Sequence, residues 1–195
     1  MMPRPSARPL ARSFFARPAH RVAPDLIGKL LVRHDGRIAR LVEVEAYDQH
    51  DPAAHTYRGP TARNASMFGA PGHLYVYRSY GLHWAANATC AKPGIGAGVL
   101  LRAAEPLGGI DAMAALRGLQ EPRALLSGPG KLAQAFGIDR SLDGSDLCGA
   151  GPVTILEDNT PAMQVHACPR IGITKAIEEP LRFVATGSRY LSRPA

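Results

Sequence analysis

Glu43, Glu45 and Tyr47 recur at every second position of a short, otherwise apolar segment, residues 42–47. Because side chains alternate across a β-strand, these polar groups are predicted to share one face, with Glu45 and Tyr47 ~7 Å apart along it. A carboxylate beside an aromatic ring on a rigid strand suits the binding of a flat ligand and the activation of a neighbouring water. The alternative, which the alternation by itself favours, is a half-buried strand with a solvated polar face.

Arg102 interrupts the apolar run 99–103. Such a run is typical of a central strand, where a charged group is costly unless it is paired. We therefore expect a carboxylate, or a bound water and ligand, beside Arg102. The open alternative is that its guanidinium reaches solvent at the strand end.

Tyr80 lies in the segment 79–82, which joins two predicted strands, 73–78 and 83–90. An aromatic ring beside Gly81 at a hairpin tip has little core to fill. It is therefore either an ordinary surface residue or a probe that enters a partner, and wedges inserted between base pairs are one known use.

The composition is that of one globular domain: 195 residues, 46% hydrophobic and 20% charged. The net charge of +7 favours a polyanionic partner, of which nucleic acid is the commonest, although a merely soluble basic protein is the alternative. No apolar run approaches the ~20 residues of a membrane span, so an intracellular protein is expected. The widely spaced Cys90, Cys148 and Cys168 predict buried, reduced thiols rather than disulfides or a zinc site.

Residues 1–11 are rich in proline and arginine and predict a disordered basic start, which leaves 12–195 as the folded domain. The remaining patterns predict helices and strands in alternation. Helices are expected at 24–30, 62–68, 109–119 and 132–136, and strands at 31–33, 38–47, 73–78, 83–90, 99–103, 153–156, 171–173 and 181–185.

Five segments in order resemble the alkyladenine (3-methyladenine) DNA glycosylase family. They are VEVEAY (42–47) with His55, RNASMFGAPGHLYVYRSYGLHWAANAT (63–89), VLLRAAEP (99–106), LLSGPGKLAQAFGI (125–138) and RIGITKAIEEPLRFVATGS (170–188). The likeness extends over most of the chain, from about Val22 to Ser188. We predict one compact α+β domain with a curved, mostly antiparallel sheet, surrounding helices and a protruding β-hairpin.

The resemblance implies base excision: a damaged purine is swung out of duplex DNA from the minor-groove side and its N-glycosidic bond is hydrolysed. It implies a role for each matched residue. Glu45 is the general base, and Arg102 and the backbone near Ile171 hold the water. The rings of Tyr47, His55 and Tyr77 enclose the base, and Asn87 guards against the 2-amino group of guanine. Tyr80 is the wedge, and Lys131 and Arg140 contact the DNA backbone. Arg63, in the long loop 48–72, could contact phosphates too, although the loop by itself favours a solvated residue.

Alternatives stay open for several of these residues. Glu43 could be the base with Glu45 structural, His55 an ordinary loop histidine, and Asn87 a strand cap. Lys131 and Arg140 could be surface charges.

The sequence departs from the family pattern at two places, and both could alter base preference or binding to DNA. Relative to vertebrate members, the segment between Tyr47 and His55 is one residue shorter, and Leu82 and His83 replace the residues that follow the wedge.

The resemblance further implies 3-methyladenine, 7-methylguanine, hypoxanthine and ethenoadenine as substrates, without ranking them. It implies neither a metal nor an organic cofactor. Because the matched active-site segments lack a lysine, a water-using mechanism without a lyase step is expected. We also expect a monomer in the bacterial cytoplasm at the nucleoid, or in the nucleus if the source is eukaryotic.

Two rival functions remain: a module that binds bent or damaged DNA without cutting it, and a hydrolase of free nucleosides.

Overall fold

A large, open antiparallel sheet organises the chain in the computed structural model, which describes residues 7–195. Nine strands are found in that range, and the main path through the sheet runs β1-β7-β2-β3-β6-β5-β4, with β9 on β3 and β8 on β9. The strands are β1 Arg8–Pro9, β2 Leu30–Arg33, β3 Ile38–Asp48, β4 Leu74–Ser79, β5 His83–Thr89, β6 Ala97–Gly108, β7 Val153–Glu157, β8 Val165–Cys168 and β9 Arg182–Ala185.

Five helices cover the sheet: α1 Arg12–Phe15, α2 Ala19–Leu26, α3 Ile110–Arg117, α4 Pro122–Leu125 and α5 Pro129–Phe136. Helix α2 packs on β3 and β6, whereas α5 packs on β5 and β6. Single 3-10 turns occur at Ala65–Phe68 and Arg140–Leu142. The predicted α+β class with an antiparallel sheet is confirmed, and the β4–β5 hairpin carries the exposed Tyr80 and Leu82 at its tip.

Strand β3 is the centre of the sheet. It pairs with β6 along its whole length on one side, and with β2 and then β9 on the other. The pairing with β6 slips between Glu43 and Val44, where Glu43 faces Ala103 and Val44 faces Leu101. Arg102 is therefore the extra residue of a β-bulge, a device that re-aims a side chain and is frequent beside active sites.

Helix α2 begins earlier than predicted, because Pro24 was wrongly taken as its first turn. Its buried residues Ala19, Val22, Ala23 and Leu26 follow the i, i+3, i+4, i+7 spacing of a helix face packed on a core. This periodicity determines the helix position, and Pro24 is accommodated within its last turn.

Two further expectations were wrong. The start of the chain is ordered from Arg8 onward, since Arg8 and Pro9 pair with β7 and Leu10 is buried; residues 1–6 lie outside the described range. Residues 171–173 form no strand, because the Ile171 amide donates to a side chain instead of a neighbouring strand. The edge strand there is β8.

The cysteines are free; Cys90 and Cys168 are buried as expected, whereas Cys148 is half-buried. Over residues 7–195, no helix has the length and apolar character needed to cross a membrane.

The core between β6 and the helices is tested by Leu101→Ala. Leu101 is fully buried in β6, so removing its side chain should lower the free energy of unfolding by about 2–5 kcal/mol in urea denaturation. Leu116→Ala, at a site 45% exposed, is the control and should stay within about 0.5 kcal/mol. Equal effects would contradict this description of the core.

Candidate active site

A cavity of about 760 Å³ opens where the end of β3, the β4–β5 hairpin, the start of α5 and the loop after β8 meet. Most of the residues predicted for the site line it. These are Tyr47, His55, Arg63, Tyr77, Tyr80, Asn87, Arg102, Lys131 and Ile171. The sheet topology thus brings residues between positions 47 and 173 of the sequence together around one cavity.

Two predicted site residues are placed differently. Arg140 is not among the described residues that line the cavity; it donates to the Val76 carbonyl at 3.1 Å and pairs with Asp143. Glu45 is 0% exposed and lies behind the cavity wall rather than on it. The wall in front of it is formed by its own hydrogen-bond partners.

Three donors hold the Glu45 carboxylate. The Tyr47 hydroxyl donates to Oε2 at 2.9 Å, Arg102 Nη1 donates to Oε2 at 3.1 Å, and the Ile171 amide donates to Oε1 at 2.8 Å. A carboxylate offers about four acceptor positions, and these three donors leave one on Oε1 unused. All three donors line the cavity, so Glu45 lies directly behind its wall.

Glu43, two residues before Glu45 on the same face of β3, has a different set of hydrogen-bond partners. Its oxygens accept from Arg102 Nε at 2.9 Å, from Arg182 Nε at 3.1 Å, and from the hydroxyl and amide of Ser192 at 2.6 Å each. Three of these donors bind Oε1 of this fully buried group, and the Ser192 amide binds Oε2; Arg182 and Ser192 are not among the described residues that line the cavity. The expectation of a carboxylate beside Arg102 is confirmed, and two carboxylates, Glu43 and Glu45, bind it. Both glutamates are fully buried, so the alternative of a solvated polar face is ruled out for them.

Aromatic rings cluster on the hairpin side of the cavity. The His55 ring meets the Tyr77 ring edge-on at 4.3 Å, and Tyr77 stacks on Tyr75 at 5.6 Å between centroids. His55 Nδ1 lies 3.2 Å from the Tyr75 hydroxyl, which orients the imidazole. These contacts hold the rings in place before any ligand arrives.

The aromatic groups are in their uncharged forms at neutral pH. Burial raises the pKa of Tyr77 to about 12, and burial together with the Glu45 carboxylate also raises the pKa of Tyr47. Burial, with Arg63 nearby, lowers the pKa of His55 below its usual 6.5. A neutral imidazole does not repel a cationic ligand, and phenol rings attract one.

Asn87 forms part of the cavity wall from strand β5. Its Nδ2 donates to the Tyr75 carbonyl at 3.3 Å, so its Oδ1 is directed away from that bond. The side chain is buried and braced between two strands, unlike a residue that caps a strand end.

The hairpin tip closes one side of the cavity mouth. Tyr80 is 86% exposed, has a φ of 49°, and donates its hydroxyl to the Gly172 carbonyl at 3.3 Å. A left-handed backbone conformation is uncommon for a non-glycine residue, and Gly81 follows with a φ of 69°. This turn projects Tyr80 outward instead of into the core.

The rim of the cavity is basic. Arg63 donates to the Arg78 carbonyl at 3.2 Å, and Lys131 donates to the Ser127 hydroxyl at 3.2 Å. Arg78 and Arg117 also line the cavity. Lys131, in the matched segment 125–138, lines the cavity from α5, so the expectation that the matched active-site segments lack a lysine was wrong.

Sequence reasoning missed two contributors. Tyr75 lines the cavity, and the alternation in 73–78 that placed it on the same face as Tyr77 was the available signal. Arg170 is buried, pairs with Asp51, donates to the Ala46 carbonyl at 3.1 Å, and stacks 4.6 Å from the Tyr47 ring centre. No local pattern in the sequence distinguishes Arg170 from other loop arginines.

An antiparallel sheet with a buried carboxylate behind an aromatic, basic-rimmed cavity defines a site for a flat ligand next to an acid–base group. The chain belongs to the methylpurine-DNA glycosylase family, whose family model matches residues 13–189. The resemblance inferred from the five segments is thereby confirmed.

Bacterial relatives are similar over nearly the whole chain. A Rhodopseudomonas palustris protein (strain CGA009) is 54% identical over 95% of this chain and 88% of its own length. A Burkholderia lata protein is 50% identical over 95% of this chain and 91% of its own, and a Nitrobacter winogradskyi protein is 51% identical over 96% and 88%. Each bears the name "Putative 3-methyladenine DNA glycosylase".

The lowered pKa of His55 predicts a pH dependence of stability. Below pH 6.5 the unfolded chain takes up a proton at His55 before the folded chain does, so this group lowers the free energy of unfolding as pH falls toward its folded pKa. We expect His55→Gln to lose less stability than the wild type between about pH 7 and pH 5 in urea denaturation. His20→Gln, at an exposed position, is the control. Identical pH profiles for wild type and His55→Gln would contradict the neutral imidazole.

Proposed function

We propose that this protein is a DNA glycosylase that flips alkylated or deaminated purines out of duplex DNA and hydrolyses their N-glycosidic bonds with a water activated by Glu45. The single observation that carries the proposal is the difference between the two buried carboxylates. All three donors to Glu45 line the cavity, whereas Glu43 is bonded to Arg182 and Ser192, which are not on the described lining. Family membership and the names of the relatives support DNA as substrate and alkylated bases as targets.

The aromatic lining of the cavity supports this substrate class. Many alkylated purines are cationic, and a cation over an aromatic face gains ~0.5–2 kcal/mol. Neutral lesions such as hypoxanthine and ethenoadenine still gain ~1–3 kcal/mol from stacking on rings such as Tyr77. Tyr47 and His55 are the other walls that we assign to the base. Asn87 is assigned to the position where the 2-amino group of an unmodified guanine would project.

The reaction needs one carboxylate and a good leaving group. Breaking the glycosidic bond leaves positive charge on the sugar, which the Glu45 carboxylate stabilises while it accepts a proton from the attacking water. Arg102 and the Ile171 amide, both bonded to Glu45, fix its orientation and border the same space. A cationic purine departs as a neutral base, which favours damaged over intact purines.

The DNA partner is engaged from the minor-groove side. Tyr80, projecting from the hairpin, is the wedge that fills the gap left by the flipped base. Arg63 and Lys131 on the rim, and Arg140 at the foot of the hairpin, are assigned to the phosphate backbone. We place the protein as a monomer in the bacterial cytoplasm, at the nucleoid.

The reaction is proposed to stop at the abasic site. Lys131 is bonded to Ser127 at the cavity rim, whereas the groups next to Glu45 are a phenol, a guanidinium and a backbone amide. No amine nucleophile is assigned to attack the sugar. The product is therefore an intact strand that breaks only on heating with alkali.

Glu45→Gln tests the mechanism and separates it from a DNA-binding module. Loss of the base should slow release of hypoxanthine or 3-methyladenine from a duplex by at least ~100-fold in single-turnover assays. Binding of the lesion duplex should persist, because the amide keeps the shape of the side chain.

Glu178→Gln, an exposed position, is the matched control and should keep the wild-type rate. A binding module would release no base in the wild type either. Wild-type excision by Glu45→Gln would rule out the proposed mechanism.

Tyr80→Ser separates a DNA enzyme from a hydrolase of free nucleosides. Without the wedge, excision from duplex DNA should fall about tenfold or more, and activity should fall steeply as salt rises because phosphate contacts release counterions. Tyr57→Ser, at an exposed tyrosine that is not on the cavity, is the control. Turnover that resists both Tyr80→Ser and added salt would favour the nucleoside hydrolase.

A further inference from the structure

A buried cluster of four charges lies behind the cavity. Two carboxylates, Glu43 and Glu45, face two guanidiniums, Arg102 and Arg182, and all four residues are buried. The formal charges cancel, as burial requires. Only Glu45 and Arg102 have roles in the proposed reaction. The proposed reaction does not explain why Glu43 and Arg182 are buried beside them.

Arg102 is shared between the two carboxylates. Its Nε donates to Glu43 Oε1 at 2.9 Å and its Nη1 to Glu45 Oε2 at 3.1 Å. A guanidinium normally prefers to grip one carboxylate with two parallel bonds. Here its plane is fixed between two carboxylates on alternate positions of β3, which determines the direction of the bond that reaches Glu45.

The end of the chain completes the cluster. The Ser192 amide donates to Glu43 Oε2 and its hydroxyl to Glu43 Oε1, both at 2.6 Å. Arg182 Nη2 donates to the carbonyls of Arg193 at 2.8 Å and Pro194 at 3.3 Å. We call residues 192–194 the C-terminal latch.

The latch holds Arg102 through the Ser192 hydroxyl. That hydroxyl donates to Glu43 Oε1 at 2.6 Å and accepts from Arg102 Nη2 at 3.5 Å, so it bridges the carboxylate and the guanidinium. Glu43 Oε1 also accepts from Arg102 Nε and Arg182 Nε, whereas Oε2 accepts from the Ser192 amide. Without the hydroxyl, Arg102 loses one of its three side-chain partners, and its Nη1 is held less firmly on Glu45 Oε2.

We propose that Glu43 and Ser192 of the C-terminal latch are positioning residues, which hold the Arg102 guanidinium on Glu45. This inference rests on the proposed function, because it assigns the latch to the same reaction. It goes beyond that function in making the last residues of the chain, distant in sequence from the cavity, determinants of the rate of base release.

Ser192→Ala is the first test, with single-turnover base release and lesion-duplex affinity measured together. Because a hydrogen bond to a charged group is lost, the rate should fall about tenfold. Affinity for the duplex should stay within about twofold. Ser192→Thr, which keeps the hydroxyl, should restore most of the rate. Ser188→Ala is the matched control, since Ser188 is in the same segment and bonds to the Tyr190 amide instead of Glu43.

A double-mutant cycle distinguishes positioning from general destabilisation. If Ser192 acts through Arg102, the effect of Ser192→Ala should shrink to within about twofold in an Arg102→Lys background. An equal fold-loss in both backgrounds, or no loss in the wild-type background, would overturn the proposal.

A readout independent of activity tests the latch by itself. Exchange of the Arg102 Nε proton with solvent, followed by NMR and assigned by its absence in Arg102→Lys, should be slow in the wild type and faster in Ser192→Ala. Unchanged exchange would overturn the positioning role. Failure of the proposed function appears separately, as base release that does not depend on Glu45.

Discussion

The Arg102 guanidinium, held between Glu43 and Glu45, is the interaction on which the site depends. A buried charge is stable only when it is paired, and here each charge has a named partner on a neighbouring strand. Both carboxylates bind Arg102, but all donors to Glu45 line the cavity, whereas Glu43 is also bonded to Arg182 and Ser192, which are not on the described lining. The chemistry assigned to Glu45 therefore follows from how the cluster is built.

The sheet supplies the rigidity that this arrangement needs. Residues 43–45 of β3 are hydrogen-bonded on both edges, to β6 and to β9, so the carboxylates cannot shift independently of the sheet. The bulge at Arg102 directs a charged side chain out of an apolar strand toward them. The hairpin tip, by contrast, is exposed and has little core to anchor it.

Much of this could be anticipated from residue patterns, but the reasons differ from place to place. Alternation put Glu43, Glu45 and Tyr47 on one face, and the interruption of an apolar run indicated that Arg102 would be paired. Periodicity could not tell a solvated face from a buried one, because that depends on β9 and the C-terminal latch, which come from the far end of the chain. The assignment of roles to single residues came from the family resemblance.

What local sequence could not supply was the non-local pairing. Three contacts join segments that are far apart in the chain. Arg170 stacks on Tyr47, Arg8–Pro9 pairs with β7, and the Ile171 amide donates to Glu45. Pro24 shows a different failure, in which a helix-start rule was preferred to the apolar spacing of α2. In each case, packing between distant elements outweighed the local preference.

A crystal structure of the protein with a duplex carrying 2′-fluoro-ethenodeoxyadenosine would test the central claim most directly, since the fluorine slows loss of the base. We predict the purine outside the duplex, among the rings of Tyr47, His55 and Tyr77, with a water bonded to Glu45 Oε1 on the side of the sugar. A purine still stacked in the duplex, or a flipped purine whose sugar faces Glu43 with Glu45 shielded, would contradict it.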